Sequence, residues 1–434
     1  MKSVALCVAF AATFSFCGQA AEKKPNIVYL LVDDMGFADC GFNGGKEIHT
    51  PNIDALAREG SIFKSYYVQP LCSASRAALL AGRFPIHNGI YGALKANLKI
   101  GLPLEIKTLA QTLQGAGYTT AITGKWHLGD FLPAYLPTKR GFEHQYGFWH
   151  GQTDYFTHGR GQRVDWYRDD KRLIEPGYST HLIADEATRL IKGQAAEKPL
   201  FLYVAFNAVH SPFQVPTSYE EPYASLPPAR RTVAGMLSAV DEAVGKIVKA
   251  LDEKHLRDNT LIIFSSDNGG VQPGIRTNNT PLRSGKGSIY EGGMRVSAFA
   301  VFPGKIPAGK SIDFPTHIVD WYPTLSGLAG APSVPHLDGV DIWPLLTKGT
   351  APTRDALFLG GTNPNRAALR MGDWKLLKNP GAVGYELYDL ANDISESKNL
   401  AAAQPDRLKQ MQERLEAMLK TAIKPLGSDG GQDE

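Results

Sequence analysis

Cysteine is nearly absent: the 434 residues hold four, and two of them, Cys7 and Cys17, fall before residue 21. A disulfide-built scaffold is excluded, and a chain this long has core enough to do without a bridge. Charge of one sign is also missing, since 46 basic residues face 43 acidic ones for a formal +3. That balance excludes nucleic acid as a partner drawn by bulk charge, so any charge specialisation must be local. The apolar stretch Val4 to Phe16, broken by Thr13 and Ser15, falls short of the ~20 residues that a membrane span takes. Internal repeats and long low-complexity segments are lacking, which excludes a fibrous protein. With 43% hydrophobic and 21% charged residues, the chain has the composition of a folded, soluble protein.

Lys2, the Val4–Phe16 stretch and Gly18-Gln19-Ala20 supply the positive start, apolar run and small-residue cleavage site of a secretory signal peptide over 1–20. The mature protein is therefore expected to be secreted or periplasmic, and Phe16 ahead of Cys17 argues against a lipidated cysteine. Four short β-rich runs follow, Ile27 to Val32, Tyr118 to Ile122, Leu200 to Phe206 and Leu261 to Phe264, with the unbroken apolar character of buried parallel strands. Helical patterns lie between them. One has Thr50 as N-cap, Pro51 in its first turn and Gly60 as its stop, and others run from Lys107 to Gln114, Thr180 to Lys192 and Arg231 to Lys254. The alternation predicts an α/β fold with a large, mostly parallel sheet sandwiched by helices. Beyond about residue 355, the segments Ala368–Met371, Trp374–Leu377 and Glu386–Leu390 and a helix from Pro405 to about Lys420 predict a smaller antiparallel sheet plus helix. The expected organisation is a signal peptide (1–20), a catalytic domain (21–355), a C-terminal subdomain (356–425) and a flexible tail (426–434).

Ligands of open α/β sheets bind beyond the carboxyl ends of the strands. The four runs end there in Asp33-Asp34, Gly124-Lys125-Trp126-His127, His210-Ser211-Pro212 and Asp267-Asn268-Gly269. A strand-end Asp alone is usually a cap and a lone His usually structural, so it is the convergence of four such ends that points to a site. Asp33, Asp34, Asp267 and Asn268 offer hard oxygen donors, suited to Ca²⁺ or Mg²⁺ rather than zinc. In Leu71-Cys72-Ser73-Ala74-Ser75-Arg76, a helix starting at Ser73 would put Cys72 at its positive end with Arg76 four residues on. Arg283-Ser284-Gly285-Lys286-Gly287-Ser288 sets a lysine in a glycine-rich loop that is not a Walker loop, since Gly287 follows the Gly-Lys.

Taken in chain order, Cys-x-Ala-x-Arg (72–76), Gly-Lys-Trp-His-Leu-Gly (124–129), His-x-Pro (210–212), Asp-Asn-Gly-Gly (267–270) and Gly-Lys-Gly-Ser-x-Tyr-Glu-Gly-Gly (285–293) resemble the formylglycine-dependent sulfatases of the alkaline phosphatase superfamily. The resemblance runs from about Pro25 to Leu400. Leu-Pro-Thr-Lys-Arg-Gly-Phe (136–142), Asp-Tyr-Phe-x-His (154–158) and Gln-Val-Pro-x-x-Tyr (214–219) are most similar to the arylsulfatase B, or N-acetylgalactosamine-4-sulfatase, branch. It implies an alkaline phosphatase-like fold and oxidation of Cys72 to formylglycine by a formylglycine-generating maturation enzyme. It also implies Ca²⁺, or Mg²⁺, on Asp33, Asp34, Asp267, Asn268 and residue 72.

The further roles are likewise implied by resemblance. A hydroxyl of the hydrated formylglycine attacks sulfur, Arg76 and Lys125 hold and polarise the diol, and His127 assists its deprotonation. Lys286 and His210 bind sulfate, and His210 protonates the leaving oxygen. The expected substrate is a sulfated carbohydrate, favouring a 4-O-sulfate on a galacto-configured sugar at a chain end. Trp149, His150, Asp154, Tyr155, His158, Arg276, Asn278 and Asn279 are the pocket candidates, as aromatic platforms and hydrogen-bonding groups. Ala74 stands where many members have proline, which bears on which enzyme converts Cys72. Cys40, outside every motif, reads as a buried hydrophobe. Two other readings stand beside this one: a phosphate or phosphonate ester hydrolase of the same superfamily, for which a second Asp/His ligand cluster is missing, and a non-catalytic sulfated-glycan binding protein in which Cys72 is never converted.

Overall fold

The computed structural model describes residues 23–96, 98–161, 163–195, 197–271, 276–380 and 384–426. The expected signal peptide and the expected tail from Gly427 onward lie outside these residues. Among the described residues no helix is long and apolar enough to cross a membrane.

The backbone of the fold is a ten-stranded sheet. Its centre is Asn26–Val32, flanked by Leu200–Ala205 on one side and Thr260–Ser266 on the other, with Thr119–Lys125 and His144–Phe148 continuing beyond Leu200–Ala205, all five parallel. On the far side, Ala298–Val301 is antiparallel to Thr260–Ser266 and is followed by Ser61–Phe63 and Lys310–Ile312. The antiparallel pair Tyr167–Arg168 and Lys171–Arg172 closes the other edge.

Strand pleating divides Asn26–Val32 between two cores. Ile27, Tyr29 and Leu31 join one hydrophobic cluster, and Val28, Leu30 and Val32 join the other. Cys72–Ala81, Leu109–Gly115 and Trp321–Leu328 cover the first face; Pro51–Arg58, Ser179–Gly193 and Pro228–Glu253 cover the second. A strand buried on both faces has to be apolar throughout, which is why it was visible as an unbroken run.

The expected strands are present, but two extend past their apolar cores. The second starts at Thr119 and runs to Lys125 because Thr123 and Gly124 pair with Val204 and Ala205. The fourth runs from Thr260 to Ser266 on the register of Asn26–Val32. Backbone pairing therefore carries polar residues into the sheet, where an apolar pattern cannot register them. Gly60 is not the stop of the first helix, which ends at Arg58 with Glu59 as a right-handed C-cap. Gly60 is required by close packing instead: a Cβ there would lie 2.1 Å from the Ala300 carbonyl oxygen. Thr108 opens Leu109–Gly115 with a reciprocal capping box to Gln111.

The C-terminal part is a four-stranded antiparallel sheet, Leu357–Asn363, Arg366–Met371, Trp374–Asn379 and Gly384–Asp389 in that order, with the helix Pro405–Leu419 against it. Its first strand was missed by pattern. Leu376, Leu387, Met411 and Leu415 belong to the same hydrophobic cluster as the first face of the main sheet, so the two sheets share a core. A buried ionic bridge crosses between them: Lys375 Nζ lies 2.8 Å from Glu291 and 2.9 Å from Glu396, with all three side chains fully buried.

Candidate active site

The parallel strands deliver their polar ends to one edge. Asp33 and Asp34 follow Asn26–Val32, and Asp267 and Asn268 follow Thr260–Ser266; all four are buried. Lys125 closes its strand, and His127 lies two residues beyond. Asp34 and His127 hold left-handed backbones, φ 61° and 58°, which turn the chain out of the sheet. Asp and His visit that region more readily than most residues, and such conformations gather at functional sites.

Opposite charges interlock in this cluster. Lys125 Nζ donates to Asp33 Oδ2 at 2.6 Å, and Lys286 Nζ lies 2.6 Å from Asp34 Oδ1. Arg76 donates through Nε and Nη2 to Asp267 Oδ2, at 3.1 and 2.8 Å, and through Nη1 to the Lys125 carbonyl. Burial opposes the charge on Asp33, but Lys125, with His210 and Arg76, outweighs it and holds the carboxyl well below its ordinary range. Asp267 moves the other way, pushed up to about 7 by burial and the neighbouring Asp33 charge. Burial also opposes the ammonium of Lys286, yet Asp34 and Cys72 outweigh it and raise its pKa.

These residues fit a divalent cation. Among the described residues the buried oxygens Asp33 Oδ1 and Asn268 Oδ1 have no hydrogen-bond partner, and a buried acceptor without a donor is a costly feature that a cation would remove. The donor set is oxygen-rich and carries three carboxylates, as Ca²⁺ and Mg²⁺ require. Donor atoms of Asp33, Asp34 and His210 lie within 4.8 Å of one another, so His210 stands nearer the acidic centre than a purely sulfate-facing role implies. Asp267 is held from both sides, its Oδ2 by Arg76 and its Oδ1 by the Asp34 amide at 3.3 Å.

Cys72 opens the Cys72–Ala81 helix, with Leu71 as N-cap and every helix residue buried. Small residues let this segment enter the core, and their hydroxyls tie down its surroundings: Ser73 Oγ accepts the Leu94 amide, and Ser75 Oγ accepts the Gln69 amide. Cys72 Sγ lies 3.3 Å from His127 Nδ1, while His127 Nε2 lies 3.0 Å from the Leu94 carbonyl. A carbonyl can only accept, so Nε2 carries the proton and Nδ1 turns a lone pair toward residue 72. Burial, then Lys125 and Arg76, push His127 well below its ordinary pKa, which keeps the ring neutral. Burial also raises the Cys72 thiol in spite of Lys125 and Lys286. A protonated, buried thiol is a poor nucleophile. Cys40 is a second free, buried cysteine, 3.4 Å from the Met35 sulfur.

Above residue 72 opens a cavity of about 650 Å³, lined by Cys72, His127, His210 and Lys286 at one end and by His150, Gln152, Arg160, Arg163 and Asp165 elsewhere. Of the pocket candidates, His150 lines it; its Nδ1 lies 3.1 Å from Asp130. The others are placed differently. Trp149 stacks on Tyr167, with ring centroids 3.6 Å apart. Asp154 accepts the Phe156 and Thr157 amides. Tyr155 is buried and donates to the Asn207 and His210 carbonyls. His158 stacks on Trp166, and Arg276 lies over Phe213. Asn278 Oδ1 accepts the Thr280 amide, and Asn279 Nδ2 donates to the Gly270 and Ser284 carbonyls. Tyr155 and Asn279 thus brace the His210 and Lys286 loops without lining the cavity. Arg160, Arg163, Gln152 and Asp165 were missed; two arginines flanking Gly161-Gln162 just after His158 were the signal on offer.

Residues 25–331 match the family model described as Sulfatase. Arylsulfatase J of Mus musculus is 34% identical over 94% of this chain and 77% of its own length. N-acetylgalactosamine-6-sulfatase of Homo sapiens is 34% identical over 80% of this chain and 71% of its own. Among solved structures, Ps i-CgsB in complex with k-i-k-neocarrahexaose superposes with a TM-score of 0.87 at 36% identity, covering 93% of this chain and 94% of that one.

Proposed function

We propose, from the premise that this chain belongs to the sulfatase family and is a sulfuric ester hydrolase, that it releases inorganic sulfate from a sulfated carbohydrate. The favoured target is a 4-O-sulfate on a galacto-configured sugar, removed from a chain end by a secreted or periplasmic enzyme. Relatives named for N-acetylgalactosamine sulfate and a neighbour solved with a neocarrahexaose support a sulfated glycan. In this reading residues 21–355 carry the reaction and residues 356–425 brace it.

The observation that carries the proposal is the setting of residue 72: a helix start, the lone pair of a neutral His127, the buried Lys125 and Arg76 close by, and a half-buried Lys286 that lines one cavity with Cys72 and His127. The raised pKa of the thiol disfavours chemistry by Cys72 itself and favours its conversion to formylglycine by a maturation enzyme. Hydrated formylglycine at residue 72 would supply a hydroxyl nucleophile toward sulfur and a second hydroxyl through which sulfate could be released. A divalent cation, Ca²⁺ or Mg²⁺, held by Asp33, Asp34, Asp267, Asn268 and residue 72, supplies Lewis acidity.

The chain's own groups do the rest. His127 Nδ1 accepts a proton from residue 72 and Leu94 fixes its tautomer. Arg76 and Lys125 keep positive charge beside the diol while holding Asp267 and Asp33 in place. Lys286 and His210 face the sulfate from the cavity side. His210 Nδ1 donates to the Ser211 carbonyl at 2.6 Å, so Nε2 of the neutral ring bears a lone pair, and His210 acts as the acid for the leaving oxygen only when Nε2 takes up a second proton, which burial opposes. The test is the intact mass of the peptide around Cys72 in active protein from its own host, paired with sulfate release from 4-O-sulfated galactose. An aldehyde at residue 72 and released sulfate are expected. A thiol throughout would overturn the nucleophile and bring the glycan-binding reading forward.

A further inference from the structure

The cavity is too large for a sulfate group alone. At about 650 Å³ it lies within the ~300–1,000 Å³ of pockets that enclose a whole ligand, and its lining carries an unexpected arrangement of charge. Gly159–Arg160 and Arg163–Val164 form a two-stranded antiparallel ribbon in which Arg160 and Arg163 stand directly opposite each other. Both side chains line the cavity, and both are exposed. Like charges facing across a strand pair destabilise it.

Nothing nearby neutralises the pair: among the described residues neither arginine forms an ion pair. Asp165, the acid that lines the same cavity, is turned away to other work, its carboxylate accepting the Trp149 and His150 amides at 3.3 and 2.9 Å. Lys95, also exposed, adds a third cation to the lining. The floor holds its own cation, Lys286, already engaged by Asp34. The cavity lining therefore carries two sets of cations on different segments, Lys286 in its glycine-rich loop and Arg160 with Arg163 on the ribbon.

We propose that Arg160 and Arg163 form a second anion subsite, binding a sulfate or carboxylate on the sugar next to the one that loses its sulfate. The inference rests on the sulfatase reading of the residue 72 site and extends it to a substrate class: glycans charged on adjoining units. Planar guanidinium groups suit both anions, since each presents paired donors to paired oxygens.

The experiment compares three oligosaccharides of one length with the same terminal sulfated sugar: the adjoining unit neutral, sulfated or a uronate. They are assayed with the wild-type protein and with Arg160→Gln/Arg163→Gln, whose changes lie on exposed side chains. The wild type is expected to favour the charged neighbours in kcat/KM by about 10- to 100-fold, with the preferred anion identifying the source. The double variant should lose that preference while keeping its rate on the neutral-neighbour substrate within about twofold, and about 0.5 M salt should erode the wild-type preference. An equal loss on all three substrates, or no loss on any, overturns the subsite. If the wild type releases no sulfate from any of them, the reading of residue 72 fails instead. Direct binding of the charged oligosaccharides to wild type and double variant then decides the subsite: weaker binding by the variant supports it, and equal binding overturns it.

Discussion

Replacing Lys375 by methionine removes the one cation shared by two buried carboxylates, and the consequence can be worked from the geometry. Lys375 Nζ sits 2.8 Å from Glu291 Oε1 and 2.9 Å from Glu396 Oε1, with no side chain of the three exposed. Burial resists ionisation of Glu291, but Lys375 and Arg295 outweigh it and hold its pKa down at about 2. Burial pushes Glu396 up to about 7 against the pull of Lys375, and Glu291 adds to the rise. One lysine thus sustains one full carboxylate and part of another. Breaking a buried pair from one side costs about 3–5 kcal/mol, a large part of the ~5–15 kcal/mol by which domains are stable.

The pH dependence has a definite sign. A carboxyl with a lowered folded pKa stabilises the fold above its unfolded value, near 4.5 for Glu291, and that stability is lost as pH falls toward 2. A carboxyl with a raised folded pKa acts the opposite way, weakening the fold as pH climbs from about 4.5 to about 7. Without Lys375 both pKa values rise, so the penalty of Lys375→Met is largest at pH 7 and smaller at pH 5, where Glu396 is neutral. Urea unfolding followed by tryptophan fluorescence at the two pH values measures it. Adding Glu396→Gln should recover part of the loss at pH 7 by removing the stranded charge. Glu396 also accepts the Glu291 amide on its side chain and an Arg283 N–H on its carbonyl, at 2.6 and 2.7 Å. The single variant should therefore also slow sulfate release by loosening the loop that carries Lys286. A penalty below about 1 kcal/mol at pH 7, or the same penalty at both pH values, would refute this account of the bridge.

Cys72→Ala should reduce sulfate release to background while changing stability by no more than about 1–2 kcal/mol; turnover near the wild-type rate would sink the assignment of residue 72. Exhaustive chelation should abolish activity and lower the unfolding temperature, because Asp33, Asp34 and Asp267 would lose a counter-charge; an unchanged rate and melting curve would require another account of the unpartnered Asp33 and Asn268 oxygens. Gly124→Ala should fail to give soluble protein, since φ there is +105° and a Cβ would meet the Ala205 carbonyl oxygen at 1.9 Å. Soluble expression with normal activity would show that the sheet can shift at that point.

The clustering of the candidate site was legible in the sequence because its parts are local to strand ends. An apolar run buried on both faces announces a central parallel strand, and the residues just after it must emerge at the ligand-binding edge, so Asp33, Asp34, Lys125, His127, His210, Asp267 and Asn268 could be named before any coordinates. Chain order and motif spacing added Cys72, Arg76 and Lys286. Tertiary structure decided the walls of the cavity. Tyr155, His158 and Asn279 carry sugar-binding chemistry as residue types, but their polar atoms are taken up by carbonyls from other segments, and such partners are set by packing. The facing of Arg160 and Arg163 depends on a ribbon too short to leave a pattern. The bridge from Glu291 to Lys375 and Glu396 joins residues far apart in the chain. Local sequence determines which groups reach an edge; only the folded chain determines which of them are left free to meet a ligand.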